Sequence, residues 1–278
     1  MRKIVMTHKL PDIGLNKLVD FNVVILDDKK TVRDQLMEEI IDADYLVSLL
    51  SVPIDDEILC KATRLKLIAQ YAVGYNNIDI SYAKDRGILV SNTPGVLTNA
   101  TADLTWALLL ALSRRILEGD KICRSGVQWE WLPEFLLGTG LAGKTIGVIG
   151  LGRIGLAVAK RAIGFNLNIF YYSRSRKEHI EKEHGLKYVE LQALLSEADF
   201  VTVHVPYTPQ THHLIGESEL AIMKKSSFLI NTSRGKVIDE TALIKALETK
   251  TVAGAALDVF YDEPFIPPAL QKLPNVVL

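Results

Sequence analysis

Short runs of Val, Ile and Leu alternate with longer stretches of helical spacing along the first ninety residues. These runs are apolar on both faces, which is typical of strands that are covered on both sides of a parallel sheet. The pattern therefore predicts an α/β domain with helices on both faces of its sheet. We predict strands at Ile4–Met6, Val23–Leu26, Tyr45–Leu49, Leu67–Gln70 and Leu89–Ser91, and helices near Gly14–Val19, Val32–Ile41, Asp55–Lys61 and Ser81–Arg86.

The alternation breaks at a turn, residues 92–95, and resumes after Gly140. From Thr98 to about Gly119 the chain has apolar residues at helical spacing, which predicts one long connecting helix. A second series of strands is predicted at Thr145–Ile149, Asn168–Tyr172, Phe200–Val205, Phe228–Asn231, Val252–Val259 and Val276–Leu278. The sequence therefore predicts two doubly wound parallel-sheet α/β domains, residues 1–95 and 96–278.

Composition and charge narrow the class of protein. The 278 residues include 32 basic and 33 acidic side chains, and a net charge of −1 offers no attraction for nucleic acid or an anionic membrane. The two cysteines, Cys60 and Cys123, lie far apart, which excludes a disulfide framework and favours a reducing compartment. No apolar run is long enough to span a bilayer. We expect a cytoplasmic protein without nucleic-acid or membrane partners.

A glycine-rich turn follows the first strand of the second domain. Residues 150–155 read Gly-Leu-Gly-Arg-Ile-Gly, a G-x-G-x-x-G run between a predicted strand and a helical stretch. Gly150 permits the tight turn, Gly152 lets a pyrophosphate approach the backbone, and Gly155 allows close packing of helix on strand. We interpret this turn as a dinucleotide site. The alternative is an ordinary strand–helix turn.

The end of the next strand bears on the choice between NAD and NADP. About 20 residues after the glycines, where an NAD site has an acidic residue, the chain has Ser173. Arg174 and Ser175 follow, and no carboxylate lies between positions 167 and 177. Because hydroxyls and a guanidinium suit a 2′-phosphate, we predict NADP, with use of NAD left open. The alternative is a solvated basic turn.

Two charged residues follow later strands. Arg234 comes shortly after the predicted strand Phe228–Asn231, and Glu263 follows the next predicted strand. Loops at the carboxyl ends of parallel strands form the ligand crevice of an open α/β sheet, so both residues are expected on the same rim as the dinucleotide. From spacing alone, Arg234 could equally be a surface ion-pair partner and Glu263 a solvated loop acid.

Several spaced motifs occur in one order along almost the whole chain. They are Ala72–Asp79, Asn99–Asp103, Gly150–Gly155, His204–Pro206, Asn231–Asp239 and Asp258–Pro264. With them the sequence resembles the D-isomer-specific 2-hydroxyacid dehydrogenases, most closely their glyoxylate/hydroxypyruvate reductase branch. The resemblance implies a flavodoxin-like substrate-binding domain, a Rossmann NAD(P)-binding domain, and hydride transfer between NAD(P)H and a small 2-oxo or 2-hydroxy acid.

The resemblance also implies roles for single residues. Arg234 would clamp the substrate's carboxylate and polarise its carbonyl, and the backbone of Val73 and Gly74 would be a second anchor for the carboxylate. Glu263 would orient a catalytic histidine and favour its charged form. Beyond the three glycines and the turn at Ser173, Arg174 and Ser175, cofactor contacts are implied for Thr101, Leu151, Arg153, Ile154, Val205, Pro206, Thr232, Ser233 and Asp258.

The family's acid/base histidine lies in a Pro-His pair just after the last strand of the cofactor domain, and this sequence ends at Leu278, within or just past that strand. None of its six histidines substitutes by motif, and we interpret His204 as structural or cofactor-adjacent. His212 and His213 lack the spacing of metal ligands, so no metal site is expected. We expect a truncated copy of a longer enzyme, which also lacks the family's final helix of the N-terminal domain. The alternative is a protein that genuinely lacks this acid.

Other functions stay open on the sequence alone. A D-lactate, phosphoglycerate or phosphite dehydrogenase of the same family would share these motifs, and a non-catalytic dinucleotide-sensing regulator could keep Arg234 and Glu263. A homodimer is expected. Trp129, Trp131 and Phe135 form an aromatic cluster that either packs in a core or interface, or caps the pocket of a neighbouring subunit.

Overall fold

Two parallel sheets organise the chain, one in each of two units. The computed structural model describes residues 1–27 and 30–278, and its contacts divide these residues into Met1–Leu97 and Thr98–Leu278. The division follows Leu97, and the sequence analysis placed it after residue 95. Both sheets are parallel throughout the pairs described, so the predicted fold class, two doubly wound α/β domains, is confirmed.

The first unit has the strand order β2-β1-β3-β4-β5, the flavodoxin-like order. Its helices α3 (Asp56–Lys61) and α4 (Ile80–Asp85) begin within one residue of the predicted positions. Asp55 and Asp79 cap them, each accepting a hydrogen bond from a backbone N–H of the first turn. The first helix lies earlier than the predicted Gly14–Val19. The elements are β1 (Lys3–Met6), α1 (Asp12–Leu15), β2 (Asn22–Ile25), α2 (Val32–Glu39), β3 (Tyr45–Ser48), α3 (Asp56–Lys61), β4 (Leu67–Gln70), α4 (Ile80–Asp85) and β5 (Leu89–Ser91).

The second unit contains a seven-stranded sheet in the order β12-β11-β10-β9-β6-β7-β8. Six of these strands follow the Rossmann order, and β12 adds a seventh at one edge. The elements are α5 (Thr98–Ser113), α6 (Ile116–Ser125), β6 (Thr145–Ile149), α7 (Arg153–Ile163), β7 (Asn168–Tyr172), α8 (Glu178–His184), β8 (Lys187–Tyr188), α9 (Leu191–Glu197), β9 (Phe200–Val203), α10 (Glu217–Ile222), β10 (Phe228–Asn231), α11 (Glu240–Glu248), β11 (Gly254–Leu257), α12 (Pro268–Gln271) and β12 (Val276–Val277), with 3-10 turns at Pro209–Thr211 and Gly235–Val237.

The single long helix predicted from Thr98 to Gly119 is wrong, because the chain breaks between α5 and α6. Arg115 adopts a left-handed conformation with φ of 53°. The carbonyl of Ser113, which a continuing helix would use for the N–H four residues later, instead accepts a hydrogen bond from the N–H of Thr139 at 2.8 Å. A distant segment therefore ends α5.

The core of the second unit has two layers, one on each face of the sheet. Strands β9 and β11 are buried at every position, as the apolar runs predict. Helices α5 and α7 pack on one face and on each other, where the indole N–H of Trp106 donates to the carbonyl of Val158 at 3.1 Å. Within residues 1–27 and 30–278, none of the helices has both the length and the apolar character to span a bilayer.

Candidate functional site

The carboxyl ends of the central strands of the second unit lie in one row. Ile149 pairs with Tyr172 on one side and with Val203 on the other. Val203 pairs in turn with Asn231, and Asn231 with Leu257. The residues that follow these five positions are those that the sequence analysis singled out. They therefore gather along one edge of the sheet.

Gly150 opens the loop that follows β6. Its φ of +95° lies in the left-handed region that favours glycine, and its N–H donates to the carbonyl of Tyr172 at 2.8 Å. A Cβ on Gly150 would lie 2.7 Å from the carbonyl oxygen of His204 and 2.8 Å from Cγ1 of Val205. Only glycine allows the loops after β6 and β9 to approach this closely.

The other two glycines differ in their surroundings, which are crowded at Gly155 and open at Gly152. A Cβ on Gly155, in the first turn of α7, would lie 2.0 Å from the carbonyl oxygen of Gly150, so the helix packs directly on the loop. At Gly152, the residue before α7, a Cβ would meet nothing within 4 Å. No side chain caps this helix end. Its first N–H groups and their partial positive charge are therefore accessible to a phosphate.

The three intervening residues contribute in different ways. The Leu151 side chain is buried in the core, so only its backbone belongs to the loop surface. Arg153 is exposed at the first position of α7, and Ile154 is half-buried. The carbonyl of Leu151 accepts a hydrogen bond from Nζ of Lys177 at 2.7 Å. Lys177 thus ties the glycine loop to the turn that follows β7.

In that turn, some of the polar side chains already make hydrogen bonds or ion pairs within the protein and others do not. The hydroxyl of Ser173 donates to the carbonyl of Ser175 at 2.6 Å, which closes the turn. Arg176 is held by Glu181 at 2.8 Å, and this guanidinium lowers the pKa of Glu181 to about 2. Arg174 is exposed and makes no hydrogen bond or ion pair with the part of the chain that the structure describes. Of the two arginines, Arg174 is the one available to a ligand.

The loop after β9 carries a half-buried histidine, His204, whose Nε2 atom is buried. Burial lowers the pKa of His204 to about 3, and its Nε2 has no hydrogen-bond partner among residues 1–27 and 30–278. The backbone N–H of His204 donates to the carbonyl of Ile149 at 2.7 Å, which fixes the loop against β6. Val205 is half-buried and Pro206 is exposed beside it. The imidazole is therefore neutral near pH 7.

A threonine network connects α5 with the end of β10. The hydroxyl of Thr105 donates to the carbonyl of Thr101 at 2.8 Å and lies 2.9 Å from the hydroxyl of Thr232. With its single proton used on Thr101, Thr105 accepts from Thr232. The network therefore joins two of the predicted cofactor residues, Thr101 and Thr232, through one that the sequence analysis missed.

The side chain of Asn231 shapes the loop that carries Arg234. Its Oδ1 accepts from the N–H and the hydroxyl of Ser233 at 3.0 and 2.8 Å, and its Nδ2 donates to the carbonyl of Arg234 at 3.0 Å. A Cβ on the next residue, Gly235, would lie 1.9 Å from the carbonyl oxygen of Phe260. The loop after β10 therefore packs on the loop after β11, which carries Asp258 and Glu263.

Arg234, Asp258 and Glu263 act on one another electrostatically. Burial lowers the pKa of Arg234, and the charge of Glu263 acts in the opposite direction. Burial and the same Glu263 charge raise the pKa of Asp258. Glu263 itself is exposed, and its Oε1 accepts from the N–H of Phe260 at 2.9 Å. A partly buried cation with two carboxylates nearby is suited to a small anionic or polar ligand.

Val73 and Gly74 belong to the first unit, in the loop that follows β4. Both are half-buried. The carbonyl of Val73 accepts from Nδ2 of Asn92 at 2.8 Å, and that of Gly74 accepts from Nε2 of Gln70 at 3.3 Å. The loop thus has its carbonyl groups bound to its own unit.

The second unit fits a dinucleotide. The cradle between Gly150 and Gly155 exists only without Cβ atoms, and the accessible N-terminus of α7 lies beside it. The remaining predicted cofactor residues follow the neighbouring strands at the same edge. Their individual roles stay predictions.

The residues that the sequence analysis missed are polar side chains that position others. Thr105 stands inside an apolar helical run, and its position four residues after Thr101 was a usable signal, because a threonine hydroxyl in a helix can donate to the carbonyl four residues earlier. Lys177 follows the basic turn by one residue and gave no signal of its own. Gln70 is the last residue of an apolar strand, where a polar side chain that is only 2% exposed indicates a buried hydrogen-bond network.

Known proteins share this arrangement. Residues 106–278 match the family model described as "D-isomer specific 2-hydroxyacid dehydrogenase, NAD binding domain". A glyoxylate reductase of Thermococcus litoralis is 52% identical over 99% of this chain and 85% of its own length. A Thermus thermophilus crystal structure superposes with a TM-score of 0.91 at 41% identity, covering 99% of this chain and 88% of that one. An NADPH-dependent glyoxylate/hydroxypyruvate reductase of Sinorhizobium meliloti, in complex with NADP and malonate, gives 0.87 at 32% identity, over 99% and 85%.

The glycines of the cradle generate a paired prediction. Gly152→Ala should leave the melting temperature nearly unchanged, because its Cβ meets open space, but should weaken dinucleotide binding about tenfold by obstructing the helix N-terminus. Gly155→Ala should lower the free energy of unfolding by about 1–3 kcal/mol, because a backbone oxygen must move. Thermal unfolding and calorimetric titration with NADP⁺ measure both. Equal effects of the two substitutions on stability would contradict this assignment.

Proposed function

The chain belongs to the D-isomer-specific 2-hydroxyacid dehydrogenase family, and we propose that it uses NADPH to reduce glyoxylate or hydroxypyruvate to the 2-hydroxy acid. The observation that carries the proposal is the carboxyl edge of the second unit. There the glycine cradle, Arg234, Asp258 and Glu263 follow neighbouring strands of one sheet. The relatives named as glyoxylate reductases support the choice of substrate.

Arg234 is the residue that would recognise the substrate. Its planar guanidinium can hold a carboxylate through two parallel hydrogen bonds, and its charge near the adjacent carbonyl would stabilise the negative oxygen that forms during reduction. Asn231 holds the backbone of Arg234, and the packing of Gly235 on Phe260 fixes the loop from the other side. The backbone from which this arginine reaches a ligand is therefore fixed before the ligand binds.

The nicotinamide cofactor, when bound, supplies the hydride. Glycines 150, 152 and 155 would hold its pyrophosphate, and Thr101, Thr232 and Asp258 would position the nicotinamide end. An ionised Asp258 carboxylate would accept a hydrogen bond from the amide N–H of the nicotinamide.

The proton for the substrate oxygen requires an acid near Glu263. Oε1 of this carboxylate accepts from the N–H of Phe260, which fixes the side chain and leaves Oε2 to face an imidazolium. Its negative charge would favour the protonated ring. His204 is not suited to the task, because burial holds its pKa at about 3 and the ring carries no extra proton near pH 7.

The turn after β7 supports NADPH over NADH. Ser173 stands where a carboxylate would bind the ribose of NAD, and Arg174 is exposed. The amine of Lys177 lies between this turn and the glycine loop. A 2′-phosphate would thus meet the positive charge of Arg174 and Lys177, while Arg176 neutralises Glu181.

We further propose that the protein forms a homodimer through the second unit. Ile116, Leu117, Trp131, Leu132 and Leu137 are all more than half exposed, and Trp131 is 89% exposed. Trp129 stacks on Phe135 with ring centroids 5.6 Å apart, so the aromatic cluster forms on the surface. An apolar surface of this kind favours an interface between subunits over the interior of one chain.

The activity generates the first prediction of this proposal. The protein should oxidise NADPH with glyoxylate or hydroxypyruvate faster than with pyruvate, and Arg234→Gln should lower kcat/KM for the 2-oxo acid at least about 100-fold. The control is Arg2→Gln, which changes an exposed arginine directly before β1 in the first unit and should leave kcat/KM unchanged. Steady-state absorbance at the nicotinamide band measures both. No turnover of any 2-oxo acid by the wild type would overturn the proposed function.

Cofactor choice gives a second prediction. Ser173→Asp should shift the ratio of kcat/KM for NADPH to that for NADH toward NADH by about tenfold or more, because a carboxylate repels the 2′-phosphate and accepts from the ribose hydroxyl. The matched control is Ser196→Asp on the exposed face of α9. If the ratio is unchanged in Ser173→Asp, this turn does not bind the 2′-phosphate.

The exposed aromatic cluster gives a third. Trp131→Ala should raise the Kd of the dimer about tenfold, as measured by analytical ultracentrifugation. If the indole instead caps a partner's pocket, the same variant should raise KM for hydroxypyruvate. Val19→Ala, which truncates a side chain that is 73% exposed in the first unit, is the control. If Trp131→Ala leaves both quantities at wild-type values, the cluster is not an interface.

A further inference from the structure

Three consecutive carbonyl groups in the loop after β4 are bound from one side. The carbonyl of Ala72 accepts from the N–H of Thr93 at 3.0 Å, that of Val73 from Nδ2 of Asn92, and that of Gly74 from Nε2 of Gln70. The three donors come from the ends of β4 and β5, which pair as neighbours. Three consecutive peptide groups are therefore fixed from the same direction.

The orientation of the N–H groups follows from this. In a trans peptide the carbonyl and the next residue's N–H point in opposite directions, and the one cis bond among the described residues is Glu263–Pro264. The N–H groups of Val73, Gly74 and Tyr75 therefore face away from β4 and β5. None of the three donates a hydrogen bond to any residue in the described parts of the chain. Successive free N–H groups of this kind form a concave site for an anion.

Gln70 is itself held by a buried network. The hydroxyl of Ser48 donates to its Oε1 at 2.5 Å, which directs Nε2 toward the carbonyl of Gly74 and toward Oδ1 of Asn77 at 2.8 Å. The amide of Asn77 donates in turn to the carbonyls of Leu49 and Val52. The side chains of Gln70 and Ser48 are almost completely buried, so the network is rigid.

We propose that Gln70 and Asn92 are positioning residues for the substrate's carboxylate, and that they act by presenting three N–H donors, those of Val73, Gly74 and Tyr75. Neither side chain touches the substrate. Each holds one peptide group so that no reorientation is needed when the anion binds. The proposal rests on the proposed function for the identity of the anion, a 2-oxo acid, and adds the N–H of Tyr75 as a donor.

Two variants test the proposal by different routes. Gln70→Met removes the hydrogen bond to Gly74 without adding charge, and Asn92→Asp places an acceptor against the carbonyl of Val73. Both should raise KM for glyoxylate about tenfold and leave kcat within about twofold, as expected when a hydrogen bond to a bound charge is lost in ground and transition states alike. KM for NADPH should not change. Asn22→Asp, at the amino end of β2, makes the same change of charge at the opposite edge and should be silent.

A binding measurement distinguishes a failure of this positioning role from a failure of the proposed reaction. Oxamate, whose amide replaces the reducible group of a 2-oxo acid, should bind the wild-type protein saturated with NADP⁺, and its Kd by calorimetry should rise in both variants by the same factor as KM. If the wild type binds oxamate but does not reduce glyoxylate, the reaction is wrong and the carboxylate site stands. The positioning role is overturned if oxamate does not bind the wild type, if either variant binds it as the wild type does, or if KM for NADPH rises in parallel.

Discussion

The close approach of α7 to the loop after β6 is the constraint on which the second unit depends. A single methyl group at Gly155 would collide with the carbonyl of Gly150, and one at Gly150 would collide with the chain at His204. Because three segments meet with no side chain between them, the ends of β6, β9 and α7 are fixed relative to one another. That packing leaves the first N–H groups of α7 accessible and places the loops of β10 and β11 on the same edge of the sheet.

In both units, backbone carbonyl groups are hydrogen-bonded within the protein while the neighbouring backbone N–H groups are left free. Free N–H groups of this kind would bind an anion. At α7 the helix itself does this, because the first N–H groups of any helix lack partners. In the loop after β4 no helix exists, and the side chains of Gln70 and Asn92 take its place by binding the carbonyls of Gly74 and Val73. The second solution needs buried amides, which explains why a glutamine that is 2% exposed ends an otherwise apolar strand.

The sequence was sufficient where local rules decide the structure and insufficient where distant segments do. Apolar runs located eleven of the twelve strands found in residues 1–27 and 30–278, all but β8, because burial on both faces leaves a continuous signal. The three glycines could be placed in a strand–turn–helix unit from their spacing and from the apolar runs on either side. The end of α5 could not, because it depends on Thr139 taking the carbonyl of Ser113. Nor could the sequence show that Glu181 occupies Arg176 and leaves Arg174 available, since that depends on how α8 folds back beside the turn.

The two units differ in the kind of group that they offer to an anion. On the second unit, burial lowers the pKa of Arg234, and the charge of Glu263 acts in the opposite direction. Burial and the same Glu263 charge raise the pKa of Asp258, so the charged groups of this rim depend on one another. The N–H groups of Val73, Gly74 and Tyr75 on the first unit carry no net charge, and their ability to donate does not depend on pH. Donors of this kind therefore hold an anion through fixed dipoles and leave the protonation of neighbouring groups unchanged.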